Sequence, residues 1–249
     1  MDAALHHVEE MVEEGADLID VGGESTRPGY QRVSVQEETD RVLSVLEEVK
    51  KRFDVPVSVD TYKAPVMDAA LAAGADLAND IWGLRYDSLF SQAGAGSVWE
   101  IGTMAEVVAK HGKPVCIMQN RREAVYEEGL LSGMFSDLRE GISIGEQAGI
   151  SREQMILDPG VGFGKTYQHN LEVLAHLEDF RALEMPLLLA ASRKSVIGLT
   201  LNLPVTEREE GTLVTTVQAV QSGWNMVRVH DVKKSVRVIR MMEKIMEYM

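Results

Sequence analysis

PVSVDTYKAPVMDAALAAGADLANDI, residues Pro56–Ile81, decides the fold. It opens with an apolar run ending on Asp60 and closes with Asp76–Ile81, where Leu77-Ala78 leads into Asn79-Asp80. Between the two runs, Ala64–Ala73 has a helical pattern that stops at Gly74, the residue type that suits a helix C-terminus. A short apolar run, a turn, a helix and a second short apolar run make a βαβ unit with parallel strands.

The same unit recurs on both sides. Apolar runs occupy Ala16–Gly23, Pro114–Asn120, Met155–Gly160, Pro186–Ser192 and Met226–Asp231. Each is nearly continuously apolar until its C-terminal end, as strands buried on both faces of a parallel sheet are. Helical patterns fall on Asp2–Glu14, Val35–Lys51, Met104–Lys110, Met134–Ala148 and Thr212–Ser222, and Gly15, Gly149 and Gly223 repeat the placement of Gly74. Alternation with no break in composition predicts one α/β domain over residues 1–249. Polar residues end nearly every strand instead of gathering at one switch point, which predicts a TIM-type (β/α)8 barrel with its site on the ring of strand C-termini. Seven strands are visible and the chain opens in a helix, so the first strand of the barrel is expected to be missing, leaving two open edges. Residues 88–102 break the pattern and read as a long loop or insertion.

Composition narrows the function. The 249 residues carry 25 Lys+Arg against 39 Asp+Glu, a net charge of −14, which argues against a general nucleic-acid binder. No apolar run approaches the roughly 20 residues of a membrane span. Met1 is followed by Asp2 with no basic and apolar leader, and the single Cys116 cannot close an internal disulfide. A cytoplasmic location is the expectation.

The strand ends carry Glu24-Ser25-Thr26-Arg27, Asp60, Asn79 with Asp80, Met118 with Asn120, Asp158, Ser192-Arg193-Lys194, and Arg228 with His230. Carboxylates and amides thus hold one arc of the rim and cations another. That suits a flat heterocycle with several N–H donors beside an anionic group, the cations falling where such barrels often hold a phosphate. Taken singly, each residue has a plainer explanation: a strand-end aspartate more often caps the next helix or anchors a loop, and a single histidine more often serves packing. Seven such strand ends in a row on one sheet outweigh that explanation. Gly162-Phe163-Gly164-Lys165-Thr166 matches only the tail of a phosphate loop, since Pro159 stands where the first glycine is required; its glycines instead keep the loop thin and present Phe163. Metal-site spacings and a G-x-S-x-G elbow are absent.

The motifs GGESTRPG (Gly22–Gly29), SVDTYKA (Ser58–Ala64), NDIWG (Asn79–Gly83), DPGVGFGKT (Asp158–Thr166), SRKS (Ser192–Ser195) and RVHD (Arg228–Asp231) resemble those of the dihydropteroate synthase family, in the same order. The resemblance implies condensation of 6-hydroxymethyl-7,8-dihydropterin pyrophosphate with p-aminobenzoate, giving dihydropteroate and pyrophosphate in folate biosynthesis. It implies pterin binding by Asp60, Asn79, Ile81, Met118, Asp158 and Lys194, and a pyrophosphate grip by Arg27, Arg228 and His230. Around p-aminobenzoate it implies Thr26, Arg27, Pro28, Phe163 and Ser192. Asp60, Lys194, Arg228 and His230 would act on the reacting groups. Mg²⁺ would assist the pyrophosphate, and sulfonamides would target such an enzyme.

Two departures qualify the resemblance. The family's first strand and its loop, which carries an asparagine for the metal–pyrophosphate unit, have no counterpart here, so no metal ligand is assigned and impaired activity is expected. Gln119 stands where the family usually has histidine, keeping hydrogen bonding without titration. A methyltetrahydrofolate-dependent corrinoid methyltransferase would share Asp60, Asn79 and Asp158 but would not need Thr26-Arg27-Pro28 or the Arg228–His230 pair. A truncated pterin-binding protein without turnover is the other alternative. The resemblance also implies a homodimer, and Val236, Ile239, Met242 and Ile245 form an apolar stripe, although a core-facing helix gives the same pattern.

Overall fold

The computed structural model describes residues 2–25, 32–91 and 98–249. The chain divides into two compact units, Met1–Ile117 with Glu140–Met155, and Met118–Arg139 with Ile156–Met249.

The first unit runs α1 (Asp2–Glu13), β1 (Ile19–Gly22), α2 (Val35–Arg52), β2 (Val57–Asp60), α3 (Ala64–Ala72), β3 (Leu77–Asp80), α4 (Tyr86–Phe90), α5 (Met104–His111) and β4 (Val115–Met118). It also takes the C-terminal part of α6 (Leu130–Ala148). β1, β2, β3 and β4 pair in sequence order, all parallel. Local chemistry fixes the helix ends: Ser34 accepts the Glu37 N–H at the start of α2, and Thr103 and Glu106 form a reciprocal cap on α5. At the other end of α3, Gly74 (φ +103°) closes a double turn in which Gly74 N bonds Leu71 O and Ala75 N bonds Ala70 O. A side chain there would be strained, which is why glycine holds the position. Gly15, Gly149 and Gly223 also have positive φ and the same pair of bonds, so the four predicted caps are present.

The strands alternate in chemistry. Ile19, Val21, Val57, Val59 and Ala78 form an apolar row, while Asp20, Ser58, Asp60 and Asn79 point to the other face. α2 and α3 lie against β1–β3 and bury Val42, Leu46, Val49, Met67 and Ala70, matching the apolar row. The expected burial on both faces holds for β2 (Val57–Asp60) and β4 (Val115–Met118), but in β1–β3 the second face is largely polar, with Leu77 as its apolar member.

The second unit holds the N-terminal part of α6, Ile156–Asp158 of β5 (Met155–Asp158), α7 (Tyr167–Ala175), β6 (Leu188–Leu189), α8 (Ser195–Leu201), α9 (Glu209–Gln221), β7 (Met226–Val227) and α10 (Val232–Met246). β6 and β7 pair in parallel, and Leu157 bridges Leu187. Its core centres on Phe180, whose ring meets Phe135 at 5.1 Å and Trp224 at 5.8 Å. The Trp224 indole N–H donates to Leu177 O at 2.9 Å, so the polar edge of this buried ring is satisfied.

All seven expected strands are present, several shorter than read. β7 ends after Val227, and Met226, Arg228 and His230 are exposed. Helices α4, α7 and α8 went unread because each is short and lacks a long apolar period. Within 88–102, residues 88–90 close α4; Asp87 accepts the Val98 N–H at 2.6 Å and the Trp99 ring stacks on Tyr86 at 6.1 Å. α10 packs on α9 and buries Val232, Ser235 and Met242, so the apolar stripe partly serves the chain's own core.

Candidate active site

In the first unit the register sets Gly22, Asp60 and Asn79 side by side at the C-terminal ends of β1, β2 and β3. One residue pair earlier, Asp20 lies beside Ser58. The Ser58 hydroxyl donates to Asp20 Oδ1, and Asn79 Nδ2 reaches the same oxygen at 3.4 Å. A carboxylate only accepts, so Asp20 turns the amide nitrogen of Asn79 toward itself and leaves Asn79 Oδ1 to face away. Asp60 is buried, and α3 is capped at Lys63 without a bond from the Lys63 side chain. Ile81 follows β3 and is buried.

Asp80 is different. Its carboxylate accepts the N–H groups of Trp82 (2.9 Å) and Leu84 (2.7 Å), and burial pushes its pKa up to about 6. It anchors its own turn.

Lys63 is the other notable group of this unit. Its Nζ donates to Glu24 Oε2 (2.7 Å), Glu38 Oε2 (2.6 Å) and Val33 O (2.8 Å), while the Val33 N–H donates to Glu24 Oε2 (2.9 Å). Burial works against the ammonium charge, but the two hydrogen-bonded carboxylates outweigh it and hold the Lys63 pKa above the usual lysine value. Lys63 thereby ties together Glu24 and Val33, which flank Thr26, Arg27 and Pro28 in sequence. Those three predicted site residues lie outside the described residues.

In the second unit the chain after β5 builds a tight turn. Asp158 is buried; burial raises its carboxyl pKa, and Oδ1 accepts the Gly160 N–H at 2.7 Å. Gly160 (φ +64°) and Gly164 (φ +53°) are obligatory, because a Cβ on Gly160 would overlap the Gln119 carbonyl oxygen and one on Gly164 would lie 2.6 Å from Arg121 N and O. Four carbonyls of the turn accept from side chains. Lys165 Nζ donates to Gly160 O and Phe163 O, each at 3.1 Å; Lys194 Nζ donates to Val161 O at 2.6 Å; Tyr126 Oη donates to Gly164 O at 3.0 Å. Lys194 Nζ also stands 4.2 Å from the centroid of the Phe163 ring, within cation–π range.

Lys165 bonds Gln119 Oε1 as well, and Gln119 Nε2 donates to Asp137 Oδ2 (2.7 Å) and Tyr126 Oη (3.2 Å). Arg121 donates to both oxygens of Asp137, from Nε to Oδ2 at 2.7 Å and from Nη2 to Oδ1 at 3.1 Å. Burial lowers the Lys165 pKa to about 7, against the attraction of Asp158 and Asp137.

The SRKS segment is shaped by one strained residue. Arg193 takes φ +55°, its N–H is bound by Thr212 Oγ1 at 3.0 Å, and Arg208 Nη1 donates to its carbonyl at 3.0 Å. This kink places Lys194 at the N-cap of α8. Ser192 Oγ meets His230 Nδ1 at 2.9 Å and accepts the His230 N–H at 3.2 Å. The Arg228 N–H bonds Leu189 O at 2.9 Å, and its side chain is exposed.

The predicted residues therefore gather in three places: Asp60 with Asn79 and Ile81; Met118, Asp158, Phe163 and Lys194 at the turn, with the Met118 side chain beside Gly160; and Ser192 with His230. Lys165 and Asp20 were not singled out. A carboxylate in the middle of ADLIDVGG was a legible signal for Asp20, because a charge inside an otherwise apolar strand needs a purpose. Lys165 carried no such signal, since its partners are mostly backbone carbonyls.

The pterin-binding enzyme family model matches residues 1–230. The dihydropteroate synthase of Clostridium beijerinckii is 49% identical over 242 residues, spanning 97% of this chain and 84% of that protein. That of Bacillus subtilis is 48% identical over 243 residues, spanning 98% and 80%. This chain belongs to the dihydropteroate synthase family. The crystal structure of the Clostridium difficile dihydropteroate synthase in the presence of pteroic acid aligns at TM-score 0.90 with 41% identity, covering 98% of this chain and 88% of that one. The Yersinia pestis enzyme with a pterin–sulfa conjugate aligns at 0.88 with 40% identity, covering 99% and 89%. The fold class is that of these synthases, the TIM-type α/β barrel class read from the sequence. Membership sets aside the methyltransferase alternative, and the expected impairment finds no support in these matches.

Proposed function

We infer that this chain is a dihydropteroate synthase, a transferase of folate biosynthesis that joins 6-hydroxymethyl-7,8-dihydropterin pyrophosphate to p-aminobenzoate. The observation that carries the reading is 49% identity to a dihydropteroate synthase across 97% of the chain.

Each residue is assigned the part its chemistry supports. Asp60, Asn79 and Asp158 accept from and donate to the pterin ring edge, with Lys194 at its carbonyl and Ile81 and Met118 along its faces. Arg228 and His230, with Arg27, take the pyrophosphate, and Thr26, Arg27, Pro28, Phe163 and Ser192 surround p-aminobenzoate. The bond between the pterin methylene carbon and the pyrophosphate oxygen breaks, and the electron pair leaves with pyrophosphate, whose growing charge the cations stabilise. The pterin spreads the positive charge left on the methylene, and the Asp60 carboxylate opposes it. The arylamine nitrogen then forms the new C–N bond with its lone pair, and the resulting ammonium gives its proton to water or to the departing pyrophosphate. Holding this weak nucleophile against the cation supplies much of the rate.

Magnesium would supply further neutralisation of the pyrophosphate. Such an ion is usually held by one or two protein oxygens together with water and the substrate's own phosphates; among the described residues no three carboxylate, imidazole or thiol groups converge, so no protein ligand is assigned and no step passes through it. A cytoplasmic location and a homodimer belong to the same proposal; among the described residues no helix is long and apolar enough to cross a membrane. Sedimentation equilibrium measures the dimer.

The test is direct. Purified chain with both substrates and Mg²⁺ should release dihydropteroate, and Asp158→Ala or Lys194→Ala should abolish it. Pterin binding without product would instead establish the non-catalytic alternative.

A further inference from the structure

We propose that Lys165 is a positioning residue: through Gln119 and the carbonyls of Gly160 and Phe163, it sets the turn that presents the Phe163 ring to p-aminobenzoate. The proposal rests on the role given to Phe163 above and names what holds that residue in place.

A turn with glycines at 160, 162 and 164 has much backbone freedom to lose and no regular ladder to lose it to. Its carbonyls must find donors elsewhere. Lys165 provides two of them from a single nitrogen, one on each side of Val161-Gly162, so the turn is drawn around the ammonium. Lys194 takes the carbonyl between, at Val161, and lies over the Phe163 ring. The two lysines therefore hold opposite parts of one turn, and the ring position depends on both.

Gln119 anchors the arrangement. Lys165 can only donate and ionised Asp137 can only accept, so the amide must offer oxygen to the first and nitrogen to the second. A neutral amide does this at every pH, whereas an imidazole loses its acceptor once protonated. The charged or titratable groups around Lys165 are Asp158, Lys194, Asp137 and Arg121, with Tyr126 bonded to the same glutamine. Burial disfavours the charge and lowers the Lys165 pKa to about 7, so it is the three acceptors around Nζ, rather than its charge, that carry the positioning role. Nothing in the reaction assigned above uses Lys165 as an acid or base.

The experiment compares the unmodified chain with Lys165→Met, Lys165→Arg and Gln119→Met, varying both substrates in turn and following amide hydrogen exchange across 159–167 by mass spectrometry. Losing a charge-assisted bond to the turn should raise KM for p-aminobenzoate about tenfold in Lys165→Met, less in Gln119→Met. KM for the pterin pyrophosphate should hold steady, and Lys165→Arg should recover part of the loss. Exchange protection of the turn should fall in the same order. Equal KM values with unchanged protection would overturn the proposal, as would a loss shared by both substrates and tracking the melting temperature. If Lys165→Met does not fold, Gln119→Met decides alone. Should the unmodified chain make no dihydropteroate, the functional reading fails, and the exchange data still decide whether Lys165 holds the turn.

Discussion

Replacing Lys63 by methionine tests the energetics of the first unit most sharply. The side chains of Lys63, Glu24 and Glu38 are 5%, 3% and 1% exposed, so the ammonium is the shared counter-charge of two desolvated carboxylates. Methionine keeps the volume of the stem and removes the charge. Breaking a buried ion pair by deleting one partner costs about 3–5 kcal/mol, because the remaining charge stays buried. For a chain of this size the melting temperature moves about 2–4 °C per kcal/mol, so a fall of roughly 6–20 °C at pH 7 is expected. The pH dependence carries the diagnostic sign. In the unmodified protein the Lys63 pKa is raised, so its contribution is complete below the ordinary lysine value and is lost only as pH rises through the folded value. In Lys63→Met the two carboxylates should bind protons more readily folded than unfolded, and stability should recover as pH falls from 7 toward 5. Scanning fluorimetry and urea unfolding between pH 5 and 8 measure both effects. The triple variant Lys63→Met, Glu24→Gln, Glu38→Gln should regain most of the loss. A change at pH 7 below about 1 kcal/mol, as an exposed pair would give, refutes the reasoning, and so does a loss that ignores pH.

Three further outcomes follow from the same geometry. Asp80 holds its proton to about pH 6 folded but gives it up near 3.8 unfolded, so stability should decline by about 3 kcal/mol as pH rises through that window, and Asp80→Asn should flatten the decline. Gly164→Ala adds a left-handed alanine and a contact of 2.6 Å to Arg121; it should destabilise by about 2–5 kcal/mol in thermal unfolding. A sulfonamide should inhibit competitively against p-aminobenzoate, raising its KM and leaving kcat alone; a fall in kcat at saturating p-aminobenzoate would contradict the assignment of that subsite.

Much of this fold is visible in the sequence because it is written in periodicity. PVSVD and DLANDI are recognisable as strands, and Gly74 and Gly149 as helix ends, from neighbours a few positions away. The polar face of β1–β3 was hidden for the same reason: Asp20, Ser58, Asp60 and Asn79 alternate with Ile19, Val21, Val59 and Ala78, yet strands of four residues are too short for the alternation to stand out. Asp60 and Asn79 stand out as ends of successive strands, and the register sets them adjacent. Asp80, collected with them at the rim, anchors a turn instead, a distinction that one residue of register decides. Lys165 and Gln119 meet across 46 positions, so no local pattern could announce their bond. The glycines of DPGVGFGKT were read correctly as keeping the loop thin, but not that two lysines hold it.

The polar face of β1–β3 has a cost in stability. Asp20, Ser58 and Asp60 occupy places where valine or isoleucine would bury apolar area, and a buried carboxylate is seldom the most stable occupant of such a place even where its neighbours are hydrogen-bonded. Substitutions chosen for heat resistance alone would therefore be expected to make this row greasy first. The row is a reserve of forgone stability.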